Sequence, residues 1–498
     1  MLFNSHIFLF VFLPVTLAGF CLWSKLLGAK AAKLWLTLAS LFFYGWWNPI
    51  YLGLIVPSML FNFWLGGRIG RMVRAGRPGK PLLVFGLTAN LLLLGYYKYA
   101  NFFMTNVNLV FGTDWTLGNI ILPLGISFFT FTQIAYLMDA SRGVACEYDL
   151  WDFLLFITFF PHLIAGPIIH HTEMMPQFAE PKTYRFQWEN LAIGLWVFTA
   201  GLFKKVIIAD ALSGHATKVF GAAASGNGLY AADAWAGVLS YTFQIYFDFS
   251  GYSDMAIGLA KMFGIVLPLN FFSPYQATSI SDFWRRWHMT LSRFLRDYLY
   301  FPLGGNRRGR GRRYLNLIVT MLLGGFWHGA AWTFVLWGMF HGVCLAVNHL
   351  WNDSFKSVFN RWPVPGWAGV WAARGVTFFL VVIGWVLFRA ADFSAARHLF
   401  AAMFGWGAGP VVGAPLLLKT KVWIWLIGLL AFAWLLPNTA QMTRDYLSHV
   451  NDFKDGRTAG SGWQRWQMNS LWACLAALLL TASVLSLSRA GEFLYYNF

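Results

Sequence analysis

Apolar positions along this chain come in long blocks, not in strand-like alternation. The blocks span 7–23, 34–47, 51–65, 82–97, 120–137, 153–170, 191–208, 231–263, 314–326, 374–388, 422–436 and 471–487. A membrane-crossing helix needs about 20 predominantly apolar residues, and windows of that length pick out about 11 to 13 segments. The predicted fold is an all-α polytopic integral membrane protein with about 11 transmembrane helices plus re-entrant or interfacial helices. Blocks 34–47 and 51–65 are short for a span. Pro123 and Gly125 predict a kink in 120–137. Pro161-His162 and Gly166-Pro167 interrupt 153–170, which is tolerated at membrane depth where protein or a watered cavity satisfies the freed backbone groups. The stretch 170–189 reads as a polar loop, as does 438–467.

The polar joints set the topology. Lys25, Lys30 and Lys33 follow the first block, and 66–80 carries Arg68, Arg71, Arg74, Arg77 and Lys80 without an acid. Positive loops face the cytoplasm, which places the N-terminus outside; Lys204-Lys205 then closes block 191–208 on the cytoplasmic side. Neither a basic residue before the first block nor a small-x-small site after it marks a signal peptide, so the first helix is read as uncleaved.

Composition agrees with a membrane protein. Only 11% of residues are charged, against about 25% in soluble domains, and the mean hydropathy is +0.54. The net charge of +17 invites a nucleic-acid partner, but the basic residues sit at the ends of apolar blocks, so no nucleic acid is expected and membrane lipid is. Cys21, Cys146, Cys344 and Cys474 lie far apart and form neither a CxxC nor a metal spacing, so each reads as apolar filler, with thioester chemistry at Cys344 the lesser alternative. No metal is expected.

The chain is organised around 279–341. Ser279 with Asp282 looks like a helix start, and Pro302 with Gly304-Gly305 like its stop. Between them Phe283, Trp287, Leu291 and Leu295 recur every four residues, while Arg285, Arg286, Arg293 and Arg296 occupy much of the rest. A helix so charged is interfacial or re-entrant. His288 would share a face with Trp284 and Ser292. Five arginines then fall within 306–313. They serve as a cytoplasmic topogenic loop, and with Arg285 and Arg286, Arg307 and Arg308 are candidates for attracting an anionic donor. Block 314–326 leads into Gly324-Gly325-Phe326-Trp327-His328-Gly329, which predicts a dry, close-packed histidine. His341 lies 13 residues on, about 220° round a continuous helix, and is the weaker candidate. Asp248 and Asp254 are intramembrane polar residues, read mainly as ion-pair or hydrogen-bond anchors for arginines of the following stretch.

A buried neutral imidazole can take a proton from a hydroxyl as it attacks an acyl carbonyl. No G-x-S-x-G, H-E-x-x-H or Walker motif occurs, so direct acyl transfer without a protein nucleophile is the simplest enzyme reading. The bland alternative makes each histidine a structural residue satisfied by the backbone.

Taken in order, Asp248-Phe-Ser-Gly-Tyr-Ser-Asp254, Asp282-Phe-Trp-Arg-Arg-Trp-His288, Leu295-Arg-Asp-Tyr-Leu-Tyr300, Leu303-Gly-Gly-Asn-Arg307 and Phe326-Trp-His-Gly329 resemble the membrane-bound O-acyltransferase family. Phe160-Pro-His-Leu-Ile-Ala-Gly-Pro167 and the aromatic tail 493–498 fit its bacterial polysaccharide branch, of which the alginate and cellulose O-acetylation membrane proteins are representatives. The resemblance implies one domain over 1–498 with 279–341 as its core segment, helices around a central funnel or tunnel, His328 at the family's catalytic histidine and His288 at its second functional position. It further implies an inner-membrane enzyme with no bound cofactor, acetyl-CoA or an acyl carrier as cytosolic donor, an exopolysaccharide acceptor, and a periplasmic partner of the SGNH/GDSL hydrolase-like type. D-alanyl transfer to teichoic acid from a carrier protein is the related alternative. A flippase for a lipid-linked saccharide and a scaffold for a polymer synthase are alternatives of other classes.

Overall fold

The computed structural model describes residues 1–145, 149–354, 366–406, 420–447 and 465–487; Cys146 and the tail 493–498 lie outside the described residues, as does much of 438–467. Every regular element among the described residues is helical. Among the described residues six helices are long and apolar enough to cross a bilayer: Phe8–Leu27, Pro49–Arg74, Lys80–Phe111, Trp188–Ala224, Trp332–Ser354 and Gly366–Arg389. Lys421–Leu435 and Ser470–Leu485 are shorter apolar helices. This is a multi-pass membrane protein. Ile126–Ser141 and Ala231–Met262 are also apolar but buried in protein on nearly all sides, and block hydropathy does not separate protein-facing from lipid-facing helices.

Several boundaries differ from the expected ones. The presumed loop 66–80 is mostly helix, since Leu52–Arg74 carries Arg68, Arg71 and Arg74 in its final turns, where long basic side chains snorkel outward and suit the C-terminal end of the helix dipole. Block 82–97 runs on through a π-helical turn at Gly95–Tyr99 into Ala100–Phe111. Pro123 and Gly125 do not kink a helix but precede one: Gly125 takes a left-handed conformation (φ 69°) at the N-cap of Ile126–Ser141. The loop expected at 170–189 contains the helix His171–Ala179, opened by a capping box between His170 and Glu173. Block 153–170 is interrupted as expected, with Leu150–Thr158 and Phe160–Leu163 broken at Phe159, whose neighbour Phe160 donates its N–H to the Ser40 hydroxyl at 3.1 Å.

Lys204-Lys205 does not end a helix either. Trp188–Phe203 continues through a π-helical turn, Lys204–Ala209, into Asp210–Ala224. This rod packs along Ala231–Met262 through paired glycines. A Cβ on Gly194 would lie 2.6 Å from the Gly258 carbonyl oxygen, and one on Gly251 2.7 Å from that of Gly201. Small residues seven apart on both helices let the backbones touch, which drives helix association where lipid supplies no hydrophobic force. The close approach sets the lysines against the second helix: Lys204 Nζ lies 2.5 Å from Asp254, and Lys205 Nζ lies 2.7 Å from both Asp248 and Asp210. The acids are thus partnered by lysines from the preceding rod, not by arginines from the following stretch.

Candidate active site

The expected single helix over 279–301 is two helices. Ser279 caps Ile280–Arg286, its hydroxyl accepting the Asp282 N–H at 3.1 Å. The chain then turns through extended Trp287 and left-handed His288 (φ 42°, ψ 52°) and restarts as Met289–Leu295. His288 therefore shares no helical face with Trp284 and Ser292. A left-handed backbone costs a non-glycine residue about 1–2 kcal/mol, and neighbouring backbone contacts hold it: Phe272 N–H donates to Arg286 O and Met289 N–H to Asn270 O, both at 2.9 Å.

Asn270 fixes the ring as well as the backbone. Its Oδ1 accepts from the Thr290 hydroxyl at 2.9 Å and from the Thr290 N–H at 3.3 Å, and its Nδ2 donates to Ser253 at 3.3 Å. An amide oxygen can only accept, so the 3.1 Å contact to His288 Nδ1 makes that nitrogen the donor. In the neutral ring Nε2 then carries the lone pair. Phe249 meets the imidazole edge-on at 4.8 Å. The Thr290 hydroxyl also accepts the Ile168 N–H at 3.0 Å, tying the site to the broken-helix region.

His328 is the last residue of Arg310–His328. That helix turns back into Trp332–Ser354 at a glycine-lined crossing, where a Cβ on Gly325 would lie 2.9 Å from Gly338 Cα. The His328 ring is 4% exposed and packs edge-on against Trp337 and Phe388, with centroids 5.2 and 5.3 Å away. The His288 and His328 centroids are 6.3 Å apart. Two histidines forty residues apart in sequence thus meet in an aromatic enclosure, one at a strained helix break and one at a helix end.

The turn to Trp332–Ser354 also changes the reading of His341. The continuous-helix estimate fails because Gly329–Ala331 breaks the helix. His341 is fully buried against Trp337 at 5.0 Å and Trp284 at 5.3 Å. It lines the wall behind His328.

The arginines divide. Arg286 is buried and bonded to Asp282 at 2.8 Å, so it braces its own helix. Arg313 bonds Asp353. Arg285, Arg307 and Arg308 are exposed and remain the candidates for an anion.

Two groups escaped the sequence reading. Lys98, one residue past block 82–97, donates from Nζ to Trp327 O at 2.6 Å, His328 O at 3.2 Å and Ser127 Oγ at 3.3 Å, while the Tyr99 hydroxyl donates to Phe326 O at 3.0 Å. A cation at the C-terminus of a helix satisfies orphan carbonyls and suits the dipole. The signal was a lone lysine between tyrosines in an apolar block. Lys98→Met is expected to lower thermal stability by about 1–3 kcal/mol through the stranded carbonyls and to cut transfer sharply by freeing the His328 turn. Lys98→Arg is expected to retain more of both; paired melting and turnover measurements on the two variants check this.

The second group lies under Met289–Leu295. Tyr298 OH donates to Asp139 Oδ2 at 2.8 Å, His171 Nδ1 lies 3.1 Å from the same oxygen, His170 Nδ1 is 3.0 Å from Tyr298 OH, and Arg293 grips Glu173 with two bonds at 2.5 and 2.9 Å. Burial pushes His170 below its ordinary range. The network locks Ile126–Ser141, His171–Ala179 and the chain following His288 together. The adjacent His170-His171 with Glu173 was its sequence signal.

A multi-pass helical protein that buries two histidines together among aromatic rings has the makings of proton transfer to or from a reacting hydroxyl. The chain belongs to the membrane-bound O-acyltransferase family. The family's profile matches residues 142–383. The peptidoglycan O-acetyltransferase of Helicobacter pylori is 44% identical over 81% of this chain and 80% of its own, and the probable alginate O-acetylase AlgI of Pseudomonas putida is 43% identical over 82% and 81%. The teichoic acid D-alanyltransferase of Bacillus subtilis is 30% identical over 55% of this chain and 70% of its own. The protein is accordingly an O-acyltransferase.

Proposed function

We propose that this enzyme takes an acetyl group from a thioester on the cytosolic face of the bacterial inner membrane and delivers it for O-acetylation of a polysaccharide outside, with the N-terminus extracytoplasmic. The observation that carries the reading is the His288–His328 pair. In it, His328 acts as general base: its imidazole takes the hydroxyl proton as the oxygen attacks the thioester carbonyl. The C–S bond breaks, and the departing thiolate takes the proton from the imidazolium. Because Asn270 assigns the Nδ1 proton of His288, that ring's Nε2 is suited to accept a hydrogen bond, so His288 orients the acceptor hydroxyl and does not polarise the carbonyl. Exposed Arg285, Arg307 and Arg308 favour a phosphate-bearing donor such as acetyl-CoA.

The acceptor is a polysaccharide of the peptidoglycan or alginate kind, reached directly or through a periplasmic SGNH/GDSL-like partner. Acetyl is preferred to D-alanyl because the acetylating relatives match over about four-fifths of both chains and the D-alanylating one over about half of this chain. Purified protein given radiolabelled acetyl-CoA is expected to release or transfer label. Label transferred only from a carrier-bound acyl group, with acetyl-CoA inert, would favour the D-alanyl type of donor instead. Translocation of a lipid-linked saccharide without acyl transfer would overturn the enzyme reading in favour of a flippase.

A further inference from the structure

The base and the orienting ring leave one atom of the reaction unserved. As the hydroxyl oxygen attacks, the thioester carbonyl oxygen takes up the electron pair of its π bond, and an enclosure of aromatic rings offers that negative charge few hydrogen bonds. A donor fixed beside both histidines would stabilise it. The polar groups nearby divide by what they already do. His288 Nδ1 donates to Asn270 Oδ1 at 3.1 Å. The Lys98 ammonium has three N–H groups, and Trp327 O, His328 O and Ser127 Oγ take them.

Trp327 is different. The residue is 5% exposed, and its indole N–H has no hydrogen-bond partner among the described residues. An indole nitrogen only donates. Burying such a donor unpaired costs stability that a phenylalanine would not lose, and orphaned groups of this kind are rare in folded interiors. The Trp327 ring centroid lies 5.0 Å from that of His328 and 6.3 Å from that of His288. The ring is also held in place. Phe131 stacks on it at 5.1 Å, Phe128 meets it edge-on at 5.7 Å, and Lys98 Nζ lies 5.6 Å from its centroid. A donor fixed before the reaction needs no reorganisation when charge develops. The indole N–H groups of Trp284 and Trp337 also lack partners among the described residues. Both rings pack on His341, at 5.3 and 5.0 Å, in the wall behind His328. Trp327 is set apart by meeting both catalytic imidazoles.

We propose that the Trp327 indole N–H donates the hydrogen bond that stabilises the oxyanion formed on the thioester carbonyl, which makes Trp327 a catalytic residue of the transfer. The assignment rests on the acyl-transfer reading above. In the addition step the C–O bond forms, the carbonyl π pair moves onto oxygen, and the hydroxyl proton passes to His328. In the collapse that pair re-forms the C=O bond, the C–S bond breaks, and the thiolate takes the proton from His328. The indole keeps its own proton throughout.

The test reads kcat and KM of acyl transfer, together with melting, on the full chain purified in detergent. Trp327→Phe keeps a ring against Phe131 and removes the N–H. A second variant replaces Trp327 with benzothienylalanine by nonsense suppression. It keeps the shape of the indole with sulfur in place of N–H, so poor folding of the first variant does not obscure the result. Both are expected to lose about 10²–10³-fold in kcat, the order for one oxyanion donor. KM for the donor is expected to stay unchanged, because the bond is made in the transition state, and the isostere is expected to melt like the wild type. A folded isostere with wild-type kcat overturns the assignment. So does a raised KM at unchanged kcat, which marks a contact to the bound donor alone. A loss of kcat in Trp337→Phe but not in the isostere overturns it in favour of that indole. Should acetyl-CoA be inert, the same variants are read with a carrier-bound acyl donor, so that failure of the donor reading and failure of this one show separately. A wild type that transfers from neither donor overturns both.

Discussion

His328→Ala is expected to bring acetyl transfer to background while the protein still inserts, purifies and elutes as a single species. Positioned proton transfer alone is worth about 10²–10⁴-fold, and a hydroxyl that keeps its proton is a poor nucleophile towards a thioester. The ring sits among Trp327, Trp337 and Phe388, so truncation also opens a cavity, with a cost of about 3–5 kcal/mol by analogy with buried aromatic residues. A second variant separates the two effects. His328→Gln fills most of the space and keeps hydrogen-bonding atoms, yet an amide does not accept the proton. The expected result is near-wild-type melting with activity as low as that of the alanine variant. His341→Ala provides the complementary case: a histidine in the same aromatic wall that also packs against Trp337, expected to lose stability but to retain turnover in the fraction that folds. Turnover of labelled acetyl-CoA, normalised to the monodisperse fraction, reads all three. Wild-type turnover by His328→Gln would remove His328 as the base and shift attention to His288 Nε2.

How much of this was legible in the sequence follows from what side-chain pattern encodes. The apolar blocks revealed a polytopic helical protein, because burial in lipid and burial in protein both select apolar residues. For the same reason they did not say which blocks cross the membrane. The two histidines stood out because glycine and tryptophan surround one and arginine the other. Their meeting was not legible. The four-residue rhythm of Phe283, Trp287, Leu291 and Leu295 runs straight across the break at His288, and only the backbone, held by Asn270 from another segment, reveals the turn. His341 was set aside on a helical angle that Gly329 invalidates. Lys204-Lys205 was read as the end of a span because a lysine in an apolar run is ordinarily there, and Lys98, one residue past block 82–97, drew no reading. Each instead has a partner distant in sequence: the carbonyls of residues 327 and 328, Asp254 and Asp248. Distant pairing of this kind leaves at most a local oddity, such as the lone lysine among tyrosines at 98, and does not name the partner.

The lysine pair carries the other large expected effect. Lys205 is 2% exposed at its side chain, Asp248 1% and Asp210 8%, and the ammonium lies 2.7 Å from each carboxylate. Lys205→Met keeps the length of the side chain and removes the charge, leaving two carboxylates facing each other in a dry interior. Breaking a buried ion pair from one side costs about 3–5 kcal/mol, and here two acids lose one partner, so the upper end is expected. Little of this cost should respond to salt, since counterions do not reach a buried cluster. Asp210→Asn and Asp248→Asn combined with Lys205→Met remove every charge and are expected to restore much of the lost melting temperature, because an uncharged buried cluster often matches or exceeds the ionic one. Activity need not return with stability. Phe249, adjacent to Asp248, packs edge-on against His288, and the Lys205–Asp248 contact holds that turn of Ala231–Met262 against the preceding rod. A triple variant that melts like the wild type but transfers poorly would show that the ion cluster fixes the position of His288 as well as the fold. A single Lys205→Met variant as stable as the wild type would mean that the two carboxylates are not charged together, and the cluster would have to be redrawn as a shared-proton pair.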